Sequence, residues 1–239
     1  MKTLNYLLGY DNIKIYQDSE WFKFSLDSIL LPNFVRIKPT VRTILDIGTG
    51  NAVIPIILST KTSAKITAVE IQKDVFDLAK DSLNINKLNN NIDLINMDIK
   101  DFSKNQESDI YDVITCNPPY FKISDTSYMN EDVHKQIARH EIMLTLEDLM
   151  MVGKKLLKNG GSIYLVHRPE RLLEITEAMR KNNIEPKRIK FVYPSKEKDS
   201  NIILIEGIKN GSIGLKIENP LYVYDDEKNY TKEIMNYFN

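Results

Sequence analysis

The chain has 239 residues, of which 42% are hydrophobic and 27% are charged, and its 32 basic and 33 acidic side chains give a formal net charge of −1. This length and composition are typical of an α/β domain that buries its own core, and they exclude the disordered and collagen-like classes. One cysteine, Cys116, excludes a disulfide framework and a Cys-cluster metal site. The N-terminus lacks a signal-peptide pattern, and no stretch reaches the ~20 apolar residues that span a membrane. We therefore expect a cytoplasmic protein.

The first 40 residues are predicted to form an N-terminal extension of a single domain that spans residues 1–239. Residues 12–25 favour a β-hairpin, and Asp27 is placed to cap a helix over 28–36. We find no repeat, low-complexity tract or linker that would divide the chain.

Short apolar runs then alternate with helical patterns. Helices are predicted over 74–86 and 146–157, the second ending before the glycine pair 160–161. Strands are predicted over 43–47, 65–70, 91–96, 111–116 and 162–166, and again over 187–193 and 201–208. A short amphipathic helix is predicted over 227–239. This order predicts a doubly wound, mainly parallel, seven-stranded sheet of the Rossmann-like kind, with an antiparallel C-terminal hairpin.

A glycine motif, DIGTGNA over 46–52, ends the first predicted strand of the sheet. Gly48 and Gly50 let the backbone turn tightly and approach a ligand closely, and the following helix directs its free N–H groups at the same place. The next strand ends in Glu70, whose carboxylate is placed to accept hydrogen bonds from the ribose hydroxyls of an adenosine. The motif therefore predicts a nucleoside cofactor.

The identity of that cofactor is indicated by two details of the motif. Position 53 is valine, so the third glycine of the dinucleotide fingerprint G-x-G-x-x-G is absent. With Asp46 before the turn, the run resembles instead the D-x-G-x-G fingerprint of class I S-adenosylmethionine-dependent methyltransferases. The resemblance implies S-adenosylmethionine as the cofactor.

A second motif, Asn117-Pro118-Pro119-Tyr120, follows the fourth strand of the sheet. The two prolines stiffen the strand exit and remove backbone donors, which leaves acceptors and an aromatic ring at the ligand-binding edge. This arrangement suits methylation of a planar amino group. The Asn117 side-chain oxygen and the Pro118 carbonyl would accept hydrogen bonds from the two N–H groups of this amine and direct its lone pair at the methyl carbon. Tyr120 would stack on the ring.

Longer runs resemble the bacterial tRNA(Val) adenine-N6 methyltransferases, which modify the purine 3′ of the anticodon. They are FSLDSILL before the first strand, TCNPPYF followed by a loop that ends in IARHE, then TLEDL, LIEGIK and PLYVYDDEKNYTKEI. The resemblance covers about residues 4–239 and implies transfer of a methyl group to N6 of an adenine in tRNA. It implies the anticodon stem-loop as partner, no metal, and a monomer or weak homodimer.

The residues implied for each role follow by position. Cofactor binding is assigned to Phe24, Asp27, Asp46, Gly48, Gly50, Asn51, Glu70, Ile71, Asp98, Ile99 and Asn117. In this class Asp98 would bind the adenine amino group, and the segment from Phe24 to Asp27 would contact the methionine end. Catalysis is assigned to Asn117, Pro118, Pro119 and Tyr120.

Two regions are expected to meet tRNA, although the near-zero net charge gives no electrostatic indication of nucleic-acid binding. The first is the polar loop 122–140 with the residues just before it, which contributes Tyr120, Phe121, Lys122, Arg139 and His140. The second is a basic lip around Lys187, Arg188 and Lys190, with the acidic tail facing away. His167 and Arg168 also point to the active edge.

Two other functions remain open at this stage. A protein glutamine amide is another planar nitrogen, so a glutamine N5-methyltransferase is the alternative enzyme. Such enzymes usually add an N-terminal helical domain, and only about 40 residues precede the first strand of the sheet here. A non-catalytic S-adenosylmethionine- or RNA-binding module is the other alternative, but such a module has no need of an intact Asn-Pro-Pro-Tyr.

Overall fold

A computed structural model describes residues 2–18, 26–118 and 144–236. Its strands are β1 (Lys2–Leu7), β2 (Tyr10–Asp18), β3 (Thr43–Ile47), β4 (Lys65–Glu70), β5 (Ile92–Asn96), β6 (Tyr111–Cys116), β7 (Leu157–His167), β8 (Ile184–Tyr193), β9 (Ile202–Lys209), β10 (Lys216–Ile217) and β11 (Leu221–Tyr222). Its helices are α1 (Asp27–Phe34), α2 (Val53–Lys61), α3 (Lys73–Ile85), α4 (Ile99–Lys104), α5 (Leu146–Leu156), α6 (Leu172–Lys181) and α7 (Lys232–Asn236), with a 3-10 turn over Pro169–Arg171.

The described strands of the main sheet run in the order β10-β8-β9-β7-β6-β3-β4-β5, and β11 also pairs with β8. Strands β3 to β7 are parallel to one another, whereas β9 is antiparallel to both β7 and β8. The predicted seven-stranded, mainly parallel sheet with an antiparallel C-terminal hairpin is therefore confirmed. The tail adds two short strands, β10 and β11, to its edge.

Two apolar layers cover the sheet. Helices α1, α2 and α3 pack on one face, and α4, α5 and α6 pack on the other. Neighbouring residues of β3 alternate between them, because Ile44 belongs to the first layer and Leu45 to the second. This double burial explains why the central strands are apolar on both faces. Among the described residues, none of the helices combines the length and the apolar character needed to cross a membrane.

The N-terminal hairpin lies earlier in the chain than predicted. The prediction of 12–25 is wrong, because β1 pairs with β2 and the turn between them uses Gly9 at a φ of +79°. The hairpin is anchored on α3 through its backbone: Tyr16 N donates to Ser82 Oγ at 3.0 Å, and Lys14 N donates to Asn86 Oδ1 at 3.0 Å. These anchors come from a distant helix, so the local pattern does not show them.

Asp27 and the glycine pair 160–161, which the sequence predicts to mark helix ends, have other roles in the structure. Leu26, not Asp27, is the N-cap of α1, and Asp27 is a buried residue of its first turn. Helix α5 ends at Leu156, because the next residue, Leu157, has an extended backbone. The glycine pair 160–161 lies inside β7 rather than after the helix. There Tyr111 and Val113 of β6 face Leu157 and Ser162, so the extra residues of β7 bulge out of the pairing, with Gly160 at a φ of +75°.

A buried ionic network joins β7, β8, β9 and the tail. The Arg188 guanidinium is 4% exposed; it donates to Glu206 Oε2 at 2.7 Å, to Glu218 Oε1 at 2.9 Å and to the Phe34 carbonyl at 2.7 Å. Tyr164 Oη donates to the other oxygen of Glu206 at 2.8 Å, and burial raises the pKa of the tyrosine well above its ordinary value. The network holds the end of α1 against the C-terminal strands.

We expect Arg188→Ala to lower the free energy of unfolding by about 3–5 kcal/mol, because it leaves the Glu206 carboxylate buried without its counter-charge. Lys187→Ala is the matched control. The Lys187 side chain, next to Arg188 in the sequence, lies near the surface, where it donates to the Ser212 carbonyl. We expect its removal to change the free energy of unfolding by no more than about 0.5 kcal/mol. Urea unfolding of both variants measures the difference, and equal midpoints would contradict a stabilising role for the network.

Candidate cofactor and catalytic site

The glycine turn lies on the end of β4. Gly48 N and Thr49 N both donate to the Val69 carbonyl, at 2.9 and 3.1 Å. Gly48 and Gly50 have φ values of +64° and +60°, a region that strains any residue with a Cβ. No heavy atom outside the immediate chain lies within 4 Å of where a Cβ would stand at either glycine, so the turn has open space beside it. A ligand can therefore approach this backbone closely.

Glu70 supports that turn. Its carboxylate is 4% exposed; Oε2 accepts from Gly50 N at 2.9 Å and Oε1 accepts from Gln72 N at 2.9 Å. A carboxylate oxygen accepts more than one hydrogen bond, so ribose hydroxyls remain suitable further donors. The side chain thus shapes the turn, and its role towards the ribose stays a prediction.

Asp46 lies beneath the turn with no exposed surface. Its Oδ1 accepts a hydrogen bond from Thr115 Oγ1 of the neighbouring strand β6 at 2.6 Å. Burial raises the pKa of the carboxyl to about 7, and the nearby Glu70 adds to the rise while the Thr115 hydrogen bond opposes it. The buried hydroxyl of Thr49 also lies close enough to lower the pKa of this carboxyl, although neither it nor Asp46 Oδ2 makes a hydrogen bond of good geometry.

The next strand, β5, brings Asp98 and Ile99 to the same edge. Asp98 caps α4 by accepting a hydrogen bond from Lys100 N at 2.7 Å through Oδ1. Asn96, which ends β5, donates to the carbonyls of Glu70 and Ile71 at 2.8 and 3.1 Å. Capping and adenine recognition are compatible at Asp98, because a carboxylate has two oxygens.

The catalytic motif begins beside the glycine turn. Ile47 of β3 faces Cys116 of β6 in the parallel register, so Gly48 and Asn117 are the next residues on adjacent strands. Asn117 Nδ2 donates to Ser28 Oγ in the first turn of α1 at 3.4 Å. Asp27, predicted for the methionine end of the cofactor, is therefore next to a residue that contacts Asn117. Phe24, Pro119 and Tyr120 lie outside the described residues.

The predictions for tRNA contacts have different outcomes. Phe121, Lys122, Arg139 and His140 lie outside the described residues. The basic lip is wrong for Arg188, which is buried in the ionic network and has no free surface for a phosphate. It is also wrong for Lys190, which is buried and pairs with Glu233 at 3.2 Å. The acidic tail does not face away, because Glu218 and Glu233 neutralise these two cations.

The end of β7 contributes one partly buried cation to the edge. His167 is buried and accepts from Arg168 N at 2.7 Å; burial and the nearby Arg171 lower its pKa to about 4, so it is neutral at physiological pH. Arg168 is only partly buried, and it donates to the Asn201 carbonyl at 2.8 Å. Of this predicted pair, only Arg168 carries a charge there.

Comparison with known proteins identifies the family. The family model described as the methyltransferase small domain matches residues 26–184. The chain belongs to this family. The prediction of a methyltransferase is thereby confirmed, and the matched span contains the glycine turn, Glu70, Asp98 and Asn117.

Three relatives are described as tRNA1(Val) (adenine(37)-N6)-methyltransferases. The protein from Cytophaga hutchinsonii is 28% identical over 189 residues, which covers 79% of this chain and 78% of the relative. The one from Flavobacterium psychrophilum is 24% identical over 231 residues, 95% of each chain. The one from Tolumonas auensis is 33% identical over 159 residues, 66% of this chain and 64% of the relative.

Solved structures share the methyltransferase fold. A "predicted O-methyltransferase" from Agrobacterium tumefaciens has a TM-score of 0.71 at 18% identity, with 89% of this chain and 96% of that chain covered. TYW2 from Pyrococcus horikoshii, in complex with MeSAdo, has a TM-score of 0.60 at 14% identity, with 88% and 72% covered. At this identity the likeness concerns the fold alone.

Two residues of the site were missed at the sequence level. Thr115 donates to the buried carboxyl of Asp46, and Ser28 accepts from Asn117. Thr115 could have been found from the strand pairing. It lies two positions before Asn117 and pairs with Asp46 on the neighbouring strand, so both side chains point to the same face of the sheet. Ser28 gives no such signal, since its contact depends on where α1 packs.

The raised pKa of Asp46 predicts a pH-dependent stability. The folded protein keeps the proton up to about pH 7, whereas an unfolded chain releases it near the ordinary value of 3.8. The contribution of Asp46 to the free energy of unfolding therefore falls as pH rises from about 4 to about 7, by about 4 kcal/mol at most. Asp46→Asn does not titrate and keeps an acceptor for Thr115. We expect the variant to match the parent near pH 4 and to be more stable at pH 8.

Urea unfolding of both proteins across this pH range measures the effect. Other titrating groups cancel in the difference between the two curves. Parallel curves would show that the Asp46 carboxyl ionises as easily in the folded chain as in the unfolded one.

Proposed function

We propose that this chain transfers the methyl group of S-adenosylmethionine to N6 of an adenine in tRNA, namely adenine 37 of tRNA1(Val), in the cytoplasm. The single observation that carries the proposal is the register of β3 and β6. It places Asn117 directly beside Gly48, so an amide that suits a planar amino group adjoins a turn that suits the cofactor. The names of the relatives support the same substrate.

The residues of the site fit the cofactor. In our proposal the carboxylate of Glu70 would accept from the ribose hydroxyls, Asp98 from the adenine amino group and Asp46 Oδ2 from the cationic ammonium; each of these carboxylates has an oxygen suited to a further donor. When bound, S-adenosylmethionine supplies an electrophilic methyl group on a sulfonium. The open space beside Gly48 and Gly50 admits it without a clash.

In this proposal the residues of the chain act by positioning the amino group of the substrate. An adenine amino group is a weak nucleophile, because its lone pair is delocalised into the ring. In our proposal Asn117 Oδ1 and the Pro118 carbonyl accept hydrogen bonds from the two N–H groups of the adenine amine. This orientation turns the nitrogen lone pair towards the methyl carbon. The same acceptors stabilise the positive charge that develops on nitrogen. The contact from Asn117 Nδ2 to Ser28 Oγ holds the amide against the first turn of α1.

The test is incubation of the protein with labelled S-adenosylmethionine and total tRNA, followed by nucleoside analysis. Labelled N6-methyladenosine at position 37 of tRNA1(Val) is the expected product. Labelled protein with unlabelled RNA would instead support the glutamine N5-methyltransferase. Binding of the cofactor with no labelled product of either kind would support a non-catalytic module.

Glu70→Ala should weaken binding of S-adenosylhomocysteine by about 10- to 100-fold, because each charge-assisted hydrogen bond to the ribose contributes about 1.5–3 kcal/mol. Asp93→Ala is the control, since it removes an exposed carboxylate that pairs with Lys65 on the same sheet. Calorimetry gives both affinities, and a thermal melt checks that the turn survives. Unchanged affinity in Glu70→Ala would remove this residue from the site.

Asn117→Ala should lower the single-turnover rate of methylation by about 10²–10³-fold, by analogy with the loss of one preorganised group, and leave affinity for S-adenosylhomocysteine nearly intact. Tyr120 should act through its ring, because stacking on a splayed-out base contributes about 1–3 kcal/mol. Tyr120→Phe should therefore be mild and Tyr120→Ala severe. A parental rate in Asn117→Ala would disprove the positioning mechanism.

A further inference from the structure

The N-terminal hairpin reaches the glycine turn. Asn51 Nδ2, in that turn, donates to the Tyr16 carbonyl of β2 at 3.4 Å. The adjacent backbone of β2 is held by Ser82 and Asn86 of α3. The residue after Tyr16 is Gln17, whose side chain is on the same face of β2 as the fully buried Ile15. The backbone of Gln17 is thus held one peptide away from a contact with the glycine motif.

The Gln17 amide is buried with half of its hydrogen-bonding capacity unused. Its side chain is 8% exposed, and Oε1 accepts from Asn5 Nδ2 at 3.4 Å. That contact directs the acceptor towards β1 and leaves Nε2 as a donor with no partner. Buried polar groups are nearly always hydrogen-bonded, so a buried amide donor without a partner needs an explanation.

Unpartnered atoms of this kind are confined to one place. Over residues 2–18, 26–118 and 144–236, the buried side-chain nitrogens and oxygens without a partner are Gln17 Nε2, Asp46 Oδ2 and Thr49 Oγ1. Two of them belong to the glycine motif, and the third is on the strand that contacts it. The Thr49 hydroxyl lies close enough to the Asp46 carboxyl to lower its pKa, so Gln17 Nε2 is the atom of the three that still needs a partner.

The chemistry of the ligand indicates which of its groups meets Gln17. The acidic side chains of the site, Asp46, Glu70 and Asp98, suit the ammonium, hydroxyl and amino groups of S-adenosylmethionine, all of which donate. The α-carboxylate of the cofactor is an acceptor with a negative charge, so these side chains repel it. A neutral donor that is already buried, such as the Gln17 amide, suits this α-carboxylate, because the donor does not have to lose bound water when the ligand binds.

We propose that Gln17 is a cofactor-binding residue whose Nε2 donates a hydrogen bond to the α-carboxylate of S-adenosylmethionine. This inference rests on the cofactor of the proposed function, but it does not depend on the methylated substrate. The hairpin is then part of the cofactor site rather than only a cover for α3.

The test compares two ligands by calorimetry: S-adenosylmethionine and its decarboxylated form, which keeps the adenosine, the sulfonium and the amine. Gln17→Ala should weaken binding of S-adenosylmethionine by about 10-fold or more, the effect of one hydrogen bond to a charged group. Binding of the decarboxylated form should change less than about 2-fold on the same argument. Gln17→Glu should weaken S-adenosylmethionine further, because it places a carboxylate against a carboxylate.

Asn86→Ala is the matched control, because it loosens the hairpin without touching Gln17. It should affect both ligands alike. An equal loss of both ligands in Gln17→Ala, or no loss of either, would overturn the proposal. A parent protein that binds S-adenosylmethionine but methylates no tRNA would disprove the proposed function and leave the Gln17 comparison valid. A parent that binds neither ligand would overturn both.

Discussion

The hydrogen bond between Thr115 and Asp46 connects the two halves of the site. It crosses from β6 to β3 in the interior of the sheet, two residues before Gly48 on β3 and two residues before Asn117 on β6. Both motifs therefore emerge from the same pair of strands in a fixed register. Because the strands are parallel, they leave the sheet at the same edge, which brings a cofactor turn and a substrate amide together.

Glu70 shows how a residue of the predicted cofactor site also builds the local fold. Its two oxygens hold the amides of Gly50 and Gln72, so the shape of the turn depends on this side chain. Removal of the carboxylate therefore affects the local backbone. Asn117 differs in its setting, since it lies beyond the end of β6 and its amide donates to Ser28 of α1.

The central strands could be predicted closely, whereas contacts between distant elements could not. The bounds of β3, β4 and β6 agree with the prediction, because apolar β-branched runs bounded by polar residues mark strands buried on both faces. The hairpin was misplaced, since its position depends on Ser82 and Asn86 of α3. Arg188 was misread as a surface cation because its partners, Glu206 and Glu218, come from later parts of the chain and become visible only when β8, β9 and the tail pack together.

Two acidic side chains are buried at the glycine turn. Asp46 and Glu70 place two carboxyl groups where little water reaches them, and the pKa of Asp46 rises to about 7 in response. A cation beside the Asp46 carboxyl opposes that rise, because an opposite charge nearby favours the ionised form. The cofactor of the proposed function carries both an ammonium and a sulfonium. Under that proposal the buried acid favours it over a neutral nucleoside, which offers no such charge.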